Sequence, residues 1–296
     1  MTDEEATVAV QTAIESGYRH IDCAWIYQNE NGVGQGITNS IKNKTVKRDD
    51  LWITSKLWND RHRGEHVEDA LKESLKSLNL SHLDLFLIHW PIVQTFGVAR
   101  PDSGTDYIAL DQVPISETWQ AMEDCVAKGL CKNIGVSNFS VKKIDNLLTT
   151  AKIKPIVNQV ESHPFLPQAA LKTKCDANEI LLTAYSPLGS GDRPEHLKQT
   201  AEPSLLQNET IQSIAMSHES STAQVILAWA MERGTIPIPK SANAERQKQN
   251  LNSMNLQLTA DQVQTINELD TQHRYVDGKF WEVEKSPYTV ANIWDE

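Results

Sequence analysis
Short apolar runs and amphipathic segments alternate along this chain, and nearly every apolar run stops at a polar or reactive residue. Residues 4–16 carry Ala6, Val10, Ala13 and Ile14 at helical spacing, and Gly17 ends the helix they predict. Strands are predicted at 18–22, 51–55, 83–88, 132–136, 156–158, 180–184 and 235–238. Helices are predicted at 32–42, 65–78, 117–128, 141–148, 168–178, 209–218 and 222–232, with a long polar loop from 92 to 114. Alternation of this kind means parallel strands. The runs are short and apolar, as strands buried on both faces are. The expected fold is a (β/α)8 barrel, whose mouth collects the residues that follow each strand. A doubly wound sheet would alternate too, but no GxGxxG follows a first strand. No composition break marks a linker, so one domain is expected over 1–296. Because the chain opens on a helix, the barrel is one strand short, which would leave two edges unpaired. Either another segment fills that gap or the chain is a fragment.

Composition removes several function classes. Net charge is -11, which argues against a nucleic-acid surface and against anionic membranes. No apolar run is long enough to span a bilayer, and the polar, acidic start is unlike a secretory signal. Cys23, Cys125, Cys131 and Cys175 lack CxxC spacing, which predicts reduced thiols in a cytoplasmic protein.

The reactive residues gather after the strands. Asp22 ends the first, Tyr27 follows five residues later, Lys56 closes the second and His89 the third. A phenol is too weak an acid to work near neutral pH unless a cation helps its proton leave, and a buried Asp22–Lys56 pair would supply one and lower the phenol pKa. His89 would orient a carbonyl through a hydrogen bond to its oxygen. Taken singly, a strand-end lysine is usually solvated and a histidine before Trp-Pro is usually a core residue. Four such residues at adjacent strand ends make the catalytic reading the better one. His62-Arg63-Gly64-Glu65-His66 matches an inverted zinc-protease pattern, but Gly64 interrupts it and it straddles a loop and a helix start.

Seven ordered segments carry a wider likeness: residues 17–30 (GYRHIDCAWIYQNE), 55–58 (SKLW), 87–91 (LIHWP), 134–139 (IGVSNF), 158–161 (NQVE), 185–190 (YSPLGS) and 238–241 (IPKS). With these the chain resembles the aldo-keto reductase superfamily, and in particular its aldose and aldehyde reductase branch. The resemblance implies a (β/α)8 barrel that reduces aldehydes and ketones with NADPH. It implies Tyr27 as general acid, tuned by Asp22 and Lys56, with His89 orienting the carbonyl. Ser137, Asn138 and Gln159 would meet the nicotinamide carboxamide, and Tyr185 would stack on the ring. Ser186, Leu188 and Ser190 would lie in the loop over the pyrophosphate. Lys240, Ser241, Asn243 and Arg246 would take the adenosine 2′-phosphate, and Asn250 the adenine. Two cations and a hydroxyl near a helix N-terminus suit a phosphate dianion, which favours NADPH over NADH. Gln249 stands where this branch usually carries Glu.

The substrate wall implied is apolar and aromatic, with Trp58 and Trp90 beside His89, and Trp25 a weaker candidate. The tail from 271 to 296, with Phe280-Trp281, resembles the loop that sets substrate range. The family's N-terminal hairpin and first strand have no counterpart, so an N-terminal truncation, an isoform or a misplaced start is expected. The leading expectation is a monomeric, cytoplasmic NADPH-dependent reductase acting on a small-molecule carbonyl. The alternatives are an NADPH-binding sensor, structural subunit or truncated form of the same fold, and a zinc hydrolase.

Overall fold
The computed structural model describes residues 1–191, 193–199 and 201–296. They form two compact units, one of residues 1–158 with 278–296 and one of residues 159–277.

The first unit opens on α1 (Asp3–Ser16), whose Thr2 cap exchanges hydrogen bonds with Glu5 and whose end is Gly17 at φ 113°. β1 (His20–Asp22), α2 (Glu30–Lys42), β2 (Trp52–Leu57), α3 (Gly64–Leu78) and β3 (Leu83–Ile88) follow. Then come the short strands β4 (Val93–Gln94) and β5 (Tyr107–Ile108), α4 (Ile115–Ala127), β6 (Cys131–Ser137) and α5 (Val141–Leu148). β1, β2, β3 and β6 pair in parallel in that order. α2 lies so close to its neighbours that a Cβ on Gly34 would sit 2.5 Å from the Leu78 carbonyl oxygen.

The register explains how the strand ends converge. Asp22 pairs with Thr54, so Lys56, two residues on, shares its face. Lys56 pairs with Leu87, so His89, again two on, shares that face too. Leu87 pairs with Gly135, which carries the face on to Ser137. Lower on the same face, Leu85, Leu87, Val157 and Trp52 form an apolar floor. The strands thus place apolar side chains below and ionisable ones above, on one surface.

β7 (Val157–Glu161) leads out of the first unit. The second unit continues with α6 (Ala169–Ala177), β8 (Leu181–Tyr185), α7 (Glu209–Ser217), α8 (Thr222–Glu232), β9 (Thr235–Pro237), α9 (Ala244–Asn252) and α10 (Ala260–Asn267). β8 and β9 pair in parallel. Its core gathers Ile211, Val225, Ile226, Trp229 and Ile266. The tail ends in α11 (Val290–Trp294) and belongs with the first unit.

Three features depart from the sequence expectation. The loop at 92–114 holds the antiparallel pair β4–β5, too short to leave a periodic signal. The strand expected at 156–158 runs on through Gln159 to Glu161, both buried, because polar residues are used inside a strand there. α9 was visible only as a helix start, since its buried residues are the polar Gln247 and Asn250 and no apolar stripe marks it.

Candidate active site
The first unit brings Asp22, Tyr27, Lys56 and His89 together. Lys56 is 1% exposed; its Nζ forms an ion pair with Asp22 Oδ1 and donates to the Cys23 carbonyl at 2.9 Å. The same Nζ stands 5.7 Å from the centre of the Tyr27 ring. Tyr27 ends a 3₁₀ turn, Trp25–Tyr27, that Gln28 closes in the left-handed region at φ 54°. Its ring meets His89 edge-on at 6.0 Å. Behind this turn, Ser55 Oγ donates to the buried Glu30 Oε1 at 2.5 Å, which ties the start of α2 to β2.

Electrostatics sort the roles. Burial works to lower the Lys56 pKa, but Asp22 and then Tyr27 outweigh it, so the ammonium is held charged above its ordinary value. His89 lies well below the ordinary histidine range because of burial, with Lys56 and His62 adding to it, so it is neutral at pH 7. Tyr27 corrects an expectation. Its pKa is raised, because burial outweighs the downward pull of Lys56. That holds although 51% of the residue's surface is open. A phenol that keeps its proton at neutral pH is the form a proton donor needs, and Lys56 then favours the phenolate left behind.

The aromatic residues close one side. Trp58 lies edge-on to His89 at 5.1 Å, and Trp281 packs 5.9 Å from Trp58 and 5.7 Å from Trp90. Phe280 meets Trp90 at 5.8 Å. Trp25 turns elsewhere: its indole donates to Glu73 and its ring carries the Arg61 guanidinium. Of the two histidines in the inverted zinc-protease pattern, His62 is buried and His66 stacks on Phe96 at 3.9 Å.

His62 gives a stability prediction. Its pKa is pushed down to about 3 by burial, and neither ring nitrogen has a hydrogen-bond partner among the described residues. The unfolded chain takes up a proton near pH 6.5 and the native chain does not. Stability therefore falls as pH drops below that value, by at most about 1.4 kcal/mol per pH unit for this one group. Urea midpoints measured from pH 7 to 4.5 should fall in the wild type, with a shallower slope in His62→Gln; His89 retains its own share. Equal slopes would assign the acid lability to other groups.

The expected cofactor residues divide between the units. In the first, Ser137 ends β6, and Asn138 follows in the left-handed region at φ 64°. Asn138 Nδ2 donates to the His89 carbonyl at 2.9 Å, so this side chain also fixes the backbone at His89. In the second, Gln159 is buried in β7 and Tyr185 ends β8. Ser186 starts a turn that Gly189 closes at φ 80° by donating to the Ser186 carbonyl; Leu188 and Ser190 flank Gly189. Asn243 caps α9 by accepting from the Arg246 N–H, Ser241 precedes it, and Lys240 and Arg246 are exposed. Asn250 is buried on the same helix. Basic side chains, a hydroxyl and a helix N-terminus form a donor set that fits a phosphate dianion.

Sequence reasoning missed Glu161 as an organiser. It is fully buried and accepts from the Tyr275 and Val276 N–H groups at 2.6 and 2.8 Å and pairs with His163 at 2.8 Å. Arg193 was missed as well; it bonds Glu202 through both carboxylate oxygens and donates to the Tyr275 carbonyl. Both act on backbone distant in sequence, so spacing alone gave no sign of them.

The sequence profile of the Aldo/keto reductase family matches residues 1–271. An aldo/keto reductase of Synechocystis is 50% identical over 288 residues, covering 97% of this chain and 88% of that one. Aldose reductase B of Dictyostelium discoideum is 44% identical over 274 residues, covering 90% and 84%. Aldo-keto reductase family 1 member A1 of Mus musculus is 40% identical over 274 residues, covering 92% and 84%. Among solved structures, Bombyx mori aldo-keto reductase in complex with NADP superposes with a TM-score of 0.85 at 39% identity, covering 97% of this chain and 90% of that one.

Proposed function
Since the chain belongs to the aldo/keto reductase family and is an NADPH-dependent carbonyl reductase of (β/α)8 barrel type, we propose that Tyr27 is its general acid and that Asp22, Lys56 and His89 complete the catalytic set. The observation that carries this reading is the Asp22–Lys56 ion pair set beside Tyr27 and His89 on one face of the parallel strands.

NADPH, when bound, supplies the hydride. The chain's own residues manage the oxygen and its proton. His89 is neutral, and its Nδ1 is buried without a partner among the described residues, which leaves Nε2 to bind the carbonyl oxygen. As negative charge grows on that oxygen, Tyr27 gives up its phenolic proton to it. Lys56, kept charged by Asp22, stabilises the resulting phenolate without moving, because its geometry is already fixed. Trp58 and Trp90 form the apolar wall against which the rest of the substrate packs. Ser137, Asn138 and Gln159 would hold the carboxamide, Tyr185 would stack on the ring, and Ser186, Leu188 and Ser190 would line the pyrophosphate. Lys240, Ser241, Asn243 and Arg246 would take the 2′-phosphate and Asn250 the adenine.

We read one reductase domain over the whole chain, with 271–296 as its substrate loop, because the family match runs unbroken to residue 271. We also read a cytoplasmic monomer without nucleic-acid partners. Its four cysteines are buried and form no disulfide, and its net charge of -11 favours solubility and opposes polyanions. No helix among the described residues is long and apolar enough to cross a membrane.

The pH profile tests the mechanism. With Tyr27 raised above 10, aldehyde reduction should stay level from pH 6 to 9 and decline only beyond the phenol's pKa. Alcohol oxidation needs the phenolate and should rise across the same range. The check is NADPH consumption with an aromatic aldehyde, then NADP+ reduction with the matching alcohol. Absence of NADPH consumption, or parallel pH trends in both directions, would remove Tyr27 from the role.

A further inference from the structure
The tail that supplies Phe280 and Trp281 ends in a fastening the chemistry does not use. Lys143, in the first turn of α5, is 8% exposed. Its Nζ donates to the Asn292 carbonyl at 2.7 Å, the Ile293 carbonyl at 2.9 Å and Asp295 Oδ2 at 2.6 Å. The two carbonyls lie in the last turn of α11, where no intrahelical donor reaches them. All three protons of one buried ammonium are thus spent on the tail. Asp295 stands in the left-handed region at φ 59° and also receives the hydroxyl of Ser140, the N-cap of α5. Nearer the pocket, the Tyr288 hydroxyl accepts from the Val93 N–H at 2.8 Å and donates to the Ile108 carbonyl at 2.7 Å.

Between these two anchor points and the chemistry stand the indoles. Trp294, the last residue of α11, packs 5.8 Å from Trp90, whose ring also meets those of Trp281 and Phe280. Whatever fixes α11 therefore fixes one flank of Trp90.

We propose that Lys143 is a positioning residue for substrate selection: by capping α11 and holding Asp295, it seats Trp294 against Trp90 and so sets the wall on which an aromatic aldehyde packs. This rests on the reading of Trp90 as a pocket wall. Aldehydes of two or three carbons reach Tyr27 and His89 without that wall, so they are indifferent to Lys143. The residue does not touch the reacting atoms.

The test compares Lys143→Met, Asp295→Asn and Trp90→Ala with the wild-type chain, each saturated with NADPH. The readouts are kcat and KM for an aromatic aldehyde and for propanal, NADPH Kd by fluorescence, and Tm. Lys143→Met should raise KM for the aromatic aldehyde about tenfold with kcat nearly unchanged, and leave the propanal kcat/KM and NADPH Kd within twofold. Asp295→Asn should move the aromatic KM in the same direction by about threefold; it keeps the hydrogen-bonding shape and carries the test if Lys143→Met does not fold. An aromatic-to-propanal ratio equal to wild type in the Lys143 and Asp295 variants, whatever happens to Tm, would make the fastening merely structural and overturn the proposal. If Trp90→Ala shifts that ratio while those two do not, the wall stands and only the role of Lys143 falls. If Trp90→Ala leaves the ratio unchanged, the wall reading fails and takes the proposal with it.

Discussion
Tyr27→Phe should cut carbonyl reduction by about 10²–10⁴-fold, the range that a positioned proton donor contributes. The substitution removes one oxygen and nothing else. The ring keeps its edge-on contact with His89 and its place near Lys56, so the shape of the site persists. What disappears is the proton for the developing alkoxide. Water is a poor replacement, because an adventitious molecule lacks the fixed cation that Lys56 provides. The loss should fall on kcat, with NADPH affinity unchanged, since none of the residues assigned to the cofactor's phosphates is altered. Lys56→Met should also slow the reaction, for a different reason. It leaves the phenol in place but removes the cation that pulls its already raised pKa down, so the proton is held too tightly. It also removes the ion-pair partner of Asp22, whose side chain is only 11% exposed, so a drop in Tm should accompany it, whereas Tyr27→Phe should leave Tm nearly level. Stopped-flow single turnovers, NADPH fluorescence titrations and melting curves separate the two. A Tyr27→Phe chain that turns over at the wild-type rate would end the assignment.

The parts that were legible in the sequence were those written in local patterns. Apolar runs ending in Asp22, Lys56 and His89 gave three parallel strands and their shared mouth, because a strand's period of two and its last residue are both local facts. The register that puts those three side chains on one face is not local; it comes from a two-residue stagger at each strand pair. The direction of the Tyr27 shift was misjudged for a related reason. The lysine was visible in the sequence, whereas the mass of surrounding chain that outweighs it comes from folding. Lys143 and Glu161 mark the limit. Each serves backbone groups more than a hundred residues away, Lys143 at the end of α11 and Glu161 at Tyr275 and Val276. No spacing within α5 or β7 distinguishes them from an ordinary surface lysine or a strand-end carboxylate.

The second large effect concerns the choice of cofactor. Lys240→Met and Arg246→Met should each weaken NADPH binding by about 10–100-fold, corresponding to the loss of one charge-assisted hydrogen bond of roughly 1.5–3 kcal/mol. NADH has a hydroxyl where NADPH has the 2′-phosphate, so neither cation gains much from it, and its affinity should change less than about threefold. Preference for NADPH should therefore collapse in the double variant while NADH binding persists. Both side chains are exposed, which makes their attraction sensitive to salt. In the wild type, NADPH Kd should rise with ionic strength more steeply than NADH Kd, and the double variant should lose that difference. Asn243 sharpens the expectation. Its side chain is already engaged by the Arg246 N–H as the cap of α9, so Asn243→Ala should lower stability by about 1 kcal/mol along with any effect on cofactor. The side chains of Lys240 and Arg246 are exposed and do not cap α9, so their replacement should lower Tm less than that of Asn243. Fluorescence titrations with the two cofactors at low and high salt decide the matter: parallel losses for NADPH and NADH would place the 2′-phosphate elsewhere.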